Sequence, residues 1–399
     1  MVKTIEIYYE SAYTDKFTAT VLSCEEGKDG NFFVILDKTA FFPEQGGQSS
    51  DIGILKGADG RSVKVIHTSI KNGIITHVTE GSFNEKELVT GEIDWNHRFS
   101  NMQQHTGEHI FSGLVNSIYG YDNVGFHLSD SEVTMDYSGF LGPEQLKDIE
   151  LKVNQAIWEN VEVNCRFPSK EELETIDYRS KKELTGDVRI VTVPGYDVCA
   201  CCAPHVSRTG EIGLLKVVSS QAYKGGVRVS ILCGKRALLF LETQHEILSE
   251  LSKKLTTSSD KVIASVDKVS LENRELKGRI LEMQERLMEY ELASIDPNAE
   301  DVFLVKEAGM DGNFMRKTVN GLAKVHDGYC GIFSGTDSSG YKYIVASGKK
   351  QKDAALIQKC LGREFEARGG GNAAMIQGSM GSVAISDVIK SLENLEGDK

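Results

Sequence analysis

Two short motifs, far apart along the chain, restrict the fold more than any other feature. The first reads H-T-G-E-H at positions 105–109, and the second, C-C-A-P-H at 201–205, begins 92 residues after the first ends. Histidines four residues apart on a helix share one face, so both can ligate one ion. A thiolate and a third imidazole add the mixed ligands that zinc prefers. The sequence therefore predicts a zinc site of His105, His109, His205 and one cysteine.

The first motif is predicted to lie on a helix. Ser100 and Gln103 have the spacing of a capping box, and apolar side chains recur after them at helical intervals. Gly120 follows the last of these apolar residues and can end the helix. His105 and His109 should therefore project from the same face.

The identity of the cysteine ligand stays open from the residues alone. Cys199, Cys201 and Cys202 all lie within a few residues of His205, and each can supply a thiolate. The two that do not bind metal are expected to be small buried side chains.

A metallopeptidase is the main alternative that the first motif allows. H-T-G-E-H also fits the pattern H-x-x-E-H, in which Glu108 would serve as general base. A peptidase needs an open coordination position and usually a carboxylate ligand, whereas Cys201 and His205 would fill the sphere. The ligand set therefore favours a different activity.

Composition limits the class of protein. The 399 residues suffice for several domains, and no apolar stretch approaches the roughly eighteen residues that a membrane span requires. Eight cysteines and the absence of an apolar N-terminal segment predict a reduced, cytoplasmic protein. A net charge of −13 means that a nucleic-acid partner must meet a locally basic patch.

The pattern of apolar residues predicts an α+β protein of four segments. They are a β-barrel-like domain at 1–92, an α+β zinc domain at 93–234, a long helical hairpin at 235–296 and a small α/β domain at 297–399. Between Val262 and Tyr290, apolar positions alternate in steps of four and three, which is a heptad seam. An intramolecular hairpin and a homodimer through this seam or the last domain both remain open.

The motifs together resemble the free-standing alanyl-tRNA editing proteins of the long AlaX type, which are similar to the editing and C-terminal parts of alanyl-tRNA synthetase. The matching stretches are F-F-P-E-Q-G-G-Q at 41–48 with Asp51 and Gly53, Q-H-T-G-E-H at 104–109, C-C-A-P-H at 201–205 with S-R-T-G at 207–210, and G-G-V-R at 225–228. G-G-G at 369–371 and Q-G at 377–378 resemble the glycine-rich signature of the DHH-associated domain. The resemblance covers nearly the whole chain.

This resemblance implies a zinc-dependent aminoacyl-tRNA deacylase. Such a protein removes serine, or glycine, from mischarged tRNA for alanine by ester hydrolysis in trans. It also favours Cys201 as the thiolate, because the family spaces its cysteine and histidine ligands as Cys201 and His205 are spaced. A tRNA-binding scaffold with a structural zinc is the alternative without catalysis.

Several side chains are candidates for contacts with the substrate. Thr106, beside the metal ligands, can recognise the serine hydroxyl or bond to its own helix backbone, and Gln104 is a second candidate for the catalytic site. The remaining candidates are the loop residues Gln45, Gly46 and Gly47, and Lys224 and Arg228, which could meet the acceptor end of the tRNA. A basic stretch from Lys342 to Arg368 is a further candidate for phosphate contacts.

Overall fold

The computed structural model describes residues 3–27, 29–129, 133–180 and 187–396. The chain divides into two compact units, Met1–Leu251 and Ser252–Lys399. The finer division at 92, 234 and 296 remains a prediction. Within the described ranges, no helix combines the length and the apolar character needed to span a bilayer.

A closed barrel forms the N-terminal part of the first unit. The strands are β1 (Ile5–Glu6), β2 (Lys16–Glu26), β3 (Phe32–Leu36), β4 (Lys38–Thr39), β5 (Gly53–Gly57), β6 (Ser62–Lys71), β7 (Ile74–Thr79) and β8 (Leu88–Ile93). The barrel closes in the order β2-β3-β7-β6-β5-β8. Buried and less buried residues alternate along β7, as expected for a strand with one face on a core. The predicted barrel is confirmed.

In the rest of the first unit, one long helix contacts two sheets and a second helix. The elements are α1 (Trp95–Tyr119), β9 (Asn123–Leu128), β10 (Val133–Tyr137), α2 (Pro143–Glu159), β11 (Asn164–Arg166), α3 (Lys170–Leu173), β12 (Ile190–Val193), β13 (Asp197–Ala200), β14 (Leu215–Tyr223), β15 (Gly226–Cys233) and α4 (Gly234–Leu255). One sheet has the order β14-β15-β10-β9 and the other β11-β12-β13. β10 is described from Val133 onward, and residues 130–132 lie outside the described ranges.

Helix α1 is unusual because residues 101–115 are all buried, although several of them are polar. The helix ends at Gly120 as expected, with a left-handed φ of 69° and its N–H bonded to the carbonyl of Asn116. The predicted start at Ser100 is wrong. Asp94 is the N-cap, and its side chain accepts a hydrogen bond from the N–H of His97. Buried polar side chains require partners, so α1 must be surrounded by hydrogen-bonding groups.

The described residues of the second unit include a long helix, three shorter helices and a five-stranded sheet. Its elements are α5 (Val262–Ser294), β16 (Val302–Lys306), α6 (Gly312–Ala323), β17 (Tyr329–Thr336), β18 (Gly340–Ser347), α7 (Ala354–Phe365), β19 (Arg368–Gly371), β20 (Met375–Met380) and α8 (Ile385–Glu393). The sheet order is β16-β17-β18-β20-β19. Short 3-10 helices of the whole chain span Ile7–Tyr9, Thr209–Ile212, Ser259–Lys261 and Asn394–Glu396.

The predicted heptad seam lies on a continuous helix, α5, but this chain does not bury most of it. Val262 is buried, whereas Leu276, Met283 and Tyr290 are 56%, 65% and 78% exposed. The helices at 235–296 are therefore present, while burial of the seam within one chain is not observed.

A buried ion pair joins the barrel side of the first unit to α1. Arg98 and Asp51 are both fully buried, and the guanidinium Nε lies 3.0 and 2.9 Å from the two carboxylate oxygens. Arg98 also donates to the carbonyls of Ala12 and Ala40, and the N–H of Phe42 donates to Asp51 at 2.6 Å. Neither charge is left uncompensated, which is the condition for stability of a buried ion pair.

We expect Asp51→Asn to lower the free energy of unfolding by about 3–5 kcal/mol, because it leaves the buried charge of Arg98 without a counter-charge. Urea unfolding at neutral pH measures the change. Glu144→Gln is the control, since Glu144 pairs with Lys147 on the surface. That substitution should cost less than about 1 kcal/mol. If the two variants lose equal free energy of unfolding, the buried pair contributes no more to stability than a surface pair.

Candidate metal centre

The two distant motifs meet at one buried cluster. His105, His109, Cys201 and His205 each offer a ligand atom, and these atoms lie within 4.8 Å of one another. The Sγ of Cys201 is 3.5 Å from Nε2 of His105 and 3.4 Å from Nε2 of His205. Around a tetrahedral zinc, with bonds of about 2.0–2.1 Å to nitrogen and 2.3 Å to sulfur, these ligands stand roughly 3.5 Å apart. The donor set therefore fits zinc.

Two different kinds of local structure position the four side chains. His105 and His109 project from successive turns of α1, with ring centroids 5.3 Å apart. Cys201 and His205 lie in the loop after β13. Arg189 holds this loop, because its side chain donates to the carbonyls of Cys201 and Ala203 at 3.0 and 2.8 Å. The helix is fixed by its own backbone, whereas the loop depends on bonds from outside it.

His109 has a charged hydrogen-bond partner. Its Nδ1 lies 3.0 Å from Asp197 Oδ2, and Asp197 Oδ1 accepts from Nε of Arg179 at 2.7 Å. Burial alone would lower the pKa of His109, but Cys199 and Asp197 outweigh burial and raise it. A proton on Nδ1 leaves Nε2 of the neutral ring to face a metal. Asp197 and Arg179 were not predicted from the sequence.

The approach of Asp197 to His109 requires a glycine on α1. Gly113 lies one turn after His109, and a Cβ at this position would lie 2.3 Å from the carbonyl oxygen of Tyr196. Tyr196 ends the β12–β13 connection and Asp197 begins β13, so the chain packs directly against the helix backbone at this point. The close contact brings the carboxylate within bonding distance of the imidazole.

The other two histidines have neutral partners. His105 Nδ1 is 2.7 Å from Oε1 of Gln48, and His205 Nδ1 is 3.0 Å from the hydroxyl oxygen of Thr106. Burial lowers the pKa of His205 well below its usual value, and the neighbouring His109 and His105 lower it further. His205 is therefore neutral, which is the form that binds metal. All three imidazoles have their Nδ1 occupied and direct Nε2 to the cluster.

Thr106 does not have the free hydroxyl that recognition of serine would require. The hydroxyl donates to the carbonyl of Met102 at 2.8 Å, and it accepts from His205 Nδ1 and from the N–H of Val206 at 3.0 and 3.3 Å. A hydroxyl has one hydrogen and two lone pairs, so these bonds saturate it. Thr106 therefore bonds to its own helix backbone, the alternative that the sequence left open, and it also orients His205; its contact with substrate remains a prediction.

Gln104 is likewise committed to the protein interior. Its side chain donates to the carbonyl of Cys233 at 2.9 Å and accepts from the N–H of the same residue at 2.7 Å. The pair fastens α1 to the end of β15. These two bonds give Gln104 a structural role, and its catalytic role remains a prediction.

The glycine-rich loop lies against the cluster, as its motif implied. Gly46 and Gly47 have φ of 66° and 87°, and a Cβ on Gly47 would lie 2.6 Å from the carbonyl oxygen of Phe126. Phe126 itself packs on His105 at 4.8 Å between ring centroids. The Oε1 of Gln45 is buried, with no hydrogen-bond partner among the described residues. Gln45 therefore keeps an unused acceptor, which a substrate group can satisfy.

Gln48 is the residue of this loop that sequence reasoning missed. Its side chain is fully buried and accepts from His105, while its Nε2 has no partner within the described part of the chain. The only available signal was its place at the end of the F-F-P-E-Q-G-G-Q motif. Nothing in that motif indicates which glutamine reaches the histidine.

Lys224 and Arg228 are not brought to the ligands by any contact that the structure records. Lys224 lies in the turn between β14 and β15, with a φ of 46°. Arg228 donates to both carboxylate oxygens of Asp136 at 2.6 and 2.8 Å and stacks 3.9 Å above the ring of Tyr223. Asp136 raises the pKa of Arg228 and compensates its charge. The Nζ of Lys224 lies 5.0 Å from the centroid of the same ring, and within the described residues no ion pair compensates its charge.

Glu108 lies outside the four-ligand group, although it belongs to the same motif. Its Oε1 accepts from the hydroxyl of Ser112 and from Nδ2 of Asn123, both at 2.6 Å. Glu108 is almost fully buried in this polar network. A general base must reach a water at the metal, so the network disfavours the metallopeptidase interpretation.

The two other nearby cysteines are in different surroundings. Cys202 packs with Tyr8 and Phe42, and burial raises the pKa of its thiol to about 12. Burial also raises the pKa of Cys199, which forms a second group within 4.8 Å together with His109 and Asp197. Cys202 belongs to neither group of candidate ligands found among the described residues. The four-membered group containing Cys201 offers more of the ligands that zinc prefers.

Comparisons with known proteins agree on one family. Residues 5–97 match the family described as tRNA synthetases class II (A), and residues 188–230 match the second additional domain of threonyl and alanyl tRNA synthetases. Both matches fall in the first unit. They include the glycine-rich loop and the cysteine-containing motif.

Curated relatives extend the likeness over most of the chain. The alanine–tRNA ligase of Ignicoccus hospitalis is 30% identical over 71% of this chain, which is 32% of the relative. That of Pyrococcus abyssi is 28% identical over 99% of this chain and 43% of the relative. The chain thus spans less than half the length of these two relatives. The solved C-Ala domain of Aquifex aeolicus alanyl-tRNA synthetase matches 24% of this chain and 88% of that domain, at 17% identity with a TM-score of 0.20.

These matches define a relative of the class II aminoacyl-tRNA synthetases. More narrowly, the chain is related to the alanyl-tRNA synthetases, and the resemblance predicted from its motifs is confirmed.

We expect Cys201→Ala to abolish tight zinc binding, while Cys199→Ala and Cys202→Ala keep about one zinc ion per chain. The reason is that only Cys201 lies with the three histidines. Metal analysis of the purified full chain after dialysis measures this, and circular dichroism verifies folding. If Cys201→Ala retains zinc and one of the other variants loses it, the cysteine replaced in that other variant is the ligand.

Proposed function

We propose that this chain hydrolyses the ester between serine, or glycine, and tRNA for alanine. The observation that carries the proposal is the group of three buried histidines and one half-buried cysteine in a relative of alanyl-tRNA synthetases. A small pocket for alanine rejects serine or glycine only about 10- to 200-fold, so a second hydrolytic site is needed for accuracy. The activity fits that need and requires a metal of the kind the cluster fits.

The chain's own residues prepare the site for such a reaction. Zinc, when bound by the four ligands, would supply Lewis acidity for the ester carbonyl or activate water. Asp197, Gln48 and Thr106 each fix one imidazole by its Nδ1. Burial of the ligands keeps bulk water away and strengthens electrostatic contacts. These residues therefore orient the metal ligands and set the polarity of the site, and none of them is assigned as a nucleophile.

Recognition of the aminoacyl group is assigned to the glycine-rich loop. Gln45 has a buried carbonyl oxygen without a partner in the described residues, and it stands beside Gly46 and Gly47. An acceptor of this kind favours a serine hydroxyl over the methyl group of alanine, because pairing avoids an unsatisfied buried group. Gln45 therefore replaces Thr106 as the residue proposed to read serine.

The proposed tRNA-binding surface includes the sheet of the second unit. Lys342 and Arg368 are exposed, and both pair in register with Ser379, one from each side. Residues directly opposite in a sheet point to the same face. By contrast, Lys350 and Arg363 of the same basic stretch form ion pairs with Glu300 and Glu364. The phosphate contacts are thus assigned to Lys342 and Arg368, with Lys224 as a contact for the acceptor end.

The similarity to alanyl-tRNA synthetases supports a proposed cytoplasmic location.

The exposed seam of α5 supports a proposed homodimer. A heptad seam normally packs against another helix. Leu276 and Met283, which belong to it, are more than half exposed.

We expect the zinc-loaded chain to deacylate seryl-tRNA for alanine at least about tenfold faster than alanyl-tRNA, because a polar acceptor discriminates by the hydroxyl. Release of labelled serine, glycine and alanine from charged tRNA measures the rates. Chelation should abolish the activity and renewed zinc should restore it.

A structural zinc would give a different result in the same experiment. Four protein ligands are typical of structural sites, so chelation would then unfold the protein. If the zinc-loaded protein cleaves none of the three esters above the spontaneous rate, the deacylase proposal fails and the scaffold function replaces it.

We expect Lys342→Ser and Arg368→Ser to weaken tRNA binding and each to reduce the slope of log affinity against log salt by about 1. Filter binding at several salt concentrations provides both quantities. Lys350→Ser is the matched control, because its charge is already paired with Glu300 at 2.8 Å. An equal effect of the control would exclude a specific role of this face.

A further inference from the structure

The three histidines of the metal centre are held by bonds of different strength. His109 is bonded to Asp197, whose carboxylate is itself paired with Arg179 at 2.7 Å, and the Asp197 side chain is only 1% exposed. The Nδ1 of His205 lies instead 3.0 Å from the neutral hydroxyl oxygen of Thr106. A charged acceptor makes a stronger hydrogen bond than a neutral one and raises the donor strength of the ring toward a metal.

The backbone positions of the two ligands differ in the same direction. His109 lies in the middle of the 25-residue helix α1, in the stretch where every residue is buried. His205 lies in a loop without regular structure, which is joined to α1 by the bond from the N–H of Val206 to Thr106 at 3.3 Å. Moving His109 would require distortion of the helix, whereas moving His205 requires a change in the loop and in the bonds that Arg189 makes to it.

We infer that His205 is the exchangeable ligand of this centre, and that Asp197 and Arg179 are positioning residues that keep His109 in place. The inference rests on the zinc site of the proposed function. Four protein ligands complete a tetrahedron, and a catalytic zinc needs a position that substrate or water can enter. Release of His205 provides that position, while His105, His109 and Cys201 retain the metal.

The first test compares His205→Ala with His109→Ala in the full chain. Zinc affinity is measured by competition with a chromophoric chelator. We expect His205→Ala to lose no more than about tenfold in affinity and His109→Ala to lose at least about a hundredfold, because only the second removes the anchored ligand. In the cobalt-substituted His205→Ala variant, a strong visible absorption of a four-coordinate ion should persist, with water in the vacated position. Equal losses of affinity, or a greater loss from His205→Ala, would overturn the inference.

A second pair of variants leaves all four ligands intact. Asp197→Asn should weaken zinc binding by about 10- to 100-fold. Thr106→Val should weaken it by less than about tenfold. Asp136→Asn is the matched control, because Asp136 pairs with Arg228 away from the ligands and should leave the affinity unchanged. Thermal unfolding of each variant separates loss of metal from loss of fold.

The outcomes distinguish this inference from the proposed function. If Thr106→Val and Asp197→Asn weaken binding equally in a chain that binds zinc and deacylates tRNA, only the exchangeable ligand is wrong. If zinc binds with the expected order of affinities but no ester is cleaved, the ranking stands and the deacylase proposal fails. A wild-type chain that binds no zinc would overturn both.

Discussion

The buried ion pair of Arg98 and Asp51 is the contact on which the site depends. Arg98 belongs to the first turns of α1. Asp51 lies three residues after Gln48, the last residue of the glycine-rich loop. Because both groups are fully buried, any displacement of one would leave a charge unpaired in the interior. The pair therefore fixes the loop against the helix, and Gln48 meets His105 as a result of that fixation.

Helix α1 combines a structural and a chemical role that normally conflict. A central helix is usually apolar, yet this one buries histidines, glutamines, a glutamate and a threonine over residues 101–115. Each polar side chain needs a partner. Those partners come from the glycine-rich loop, from the start of β13 and from the end of β15. The polar interior thereby specifies how the surrounding elements are arranged.

The sequence was informative where periodicity or ligand spacing carried the signal. The pattern of apolar residues predicted the barrel strands, and the four-residue spacing predicted that His105 and His109 share a face. It was uninformative where tertiary contacts choose a partner. Neither the bond from Arg179 to Asp197 nor the saturation of the Thr106 hydroxyl follows from local sequence, since each depends on segments far apart in the chain. Asp94 replaced Ser100 as N-cap for the same reason: α1 begins where the barrel ends.

The close packing at Gly113 makes the metal centre sensitive to a position that holds no ligand. A methyl group there would occupy the space of the Tyr196 carbonyl and push the β12–β13 connection outward. Asp197 would move with it, and His109 would lose its charged acceptor. Residue volume at 113 therefore acts on the basicity of the His109 imidazole, so that a purely steric change one turn along the helix would be recorded as a change in metal retention.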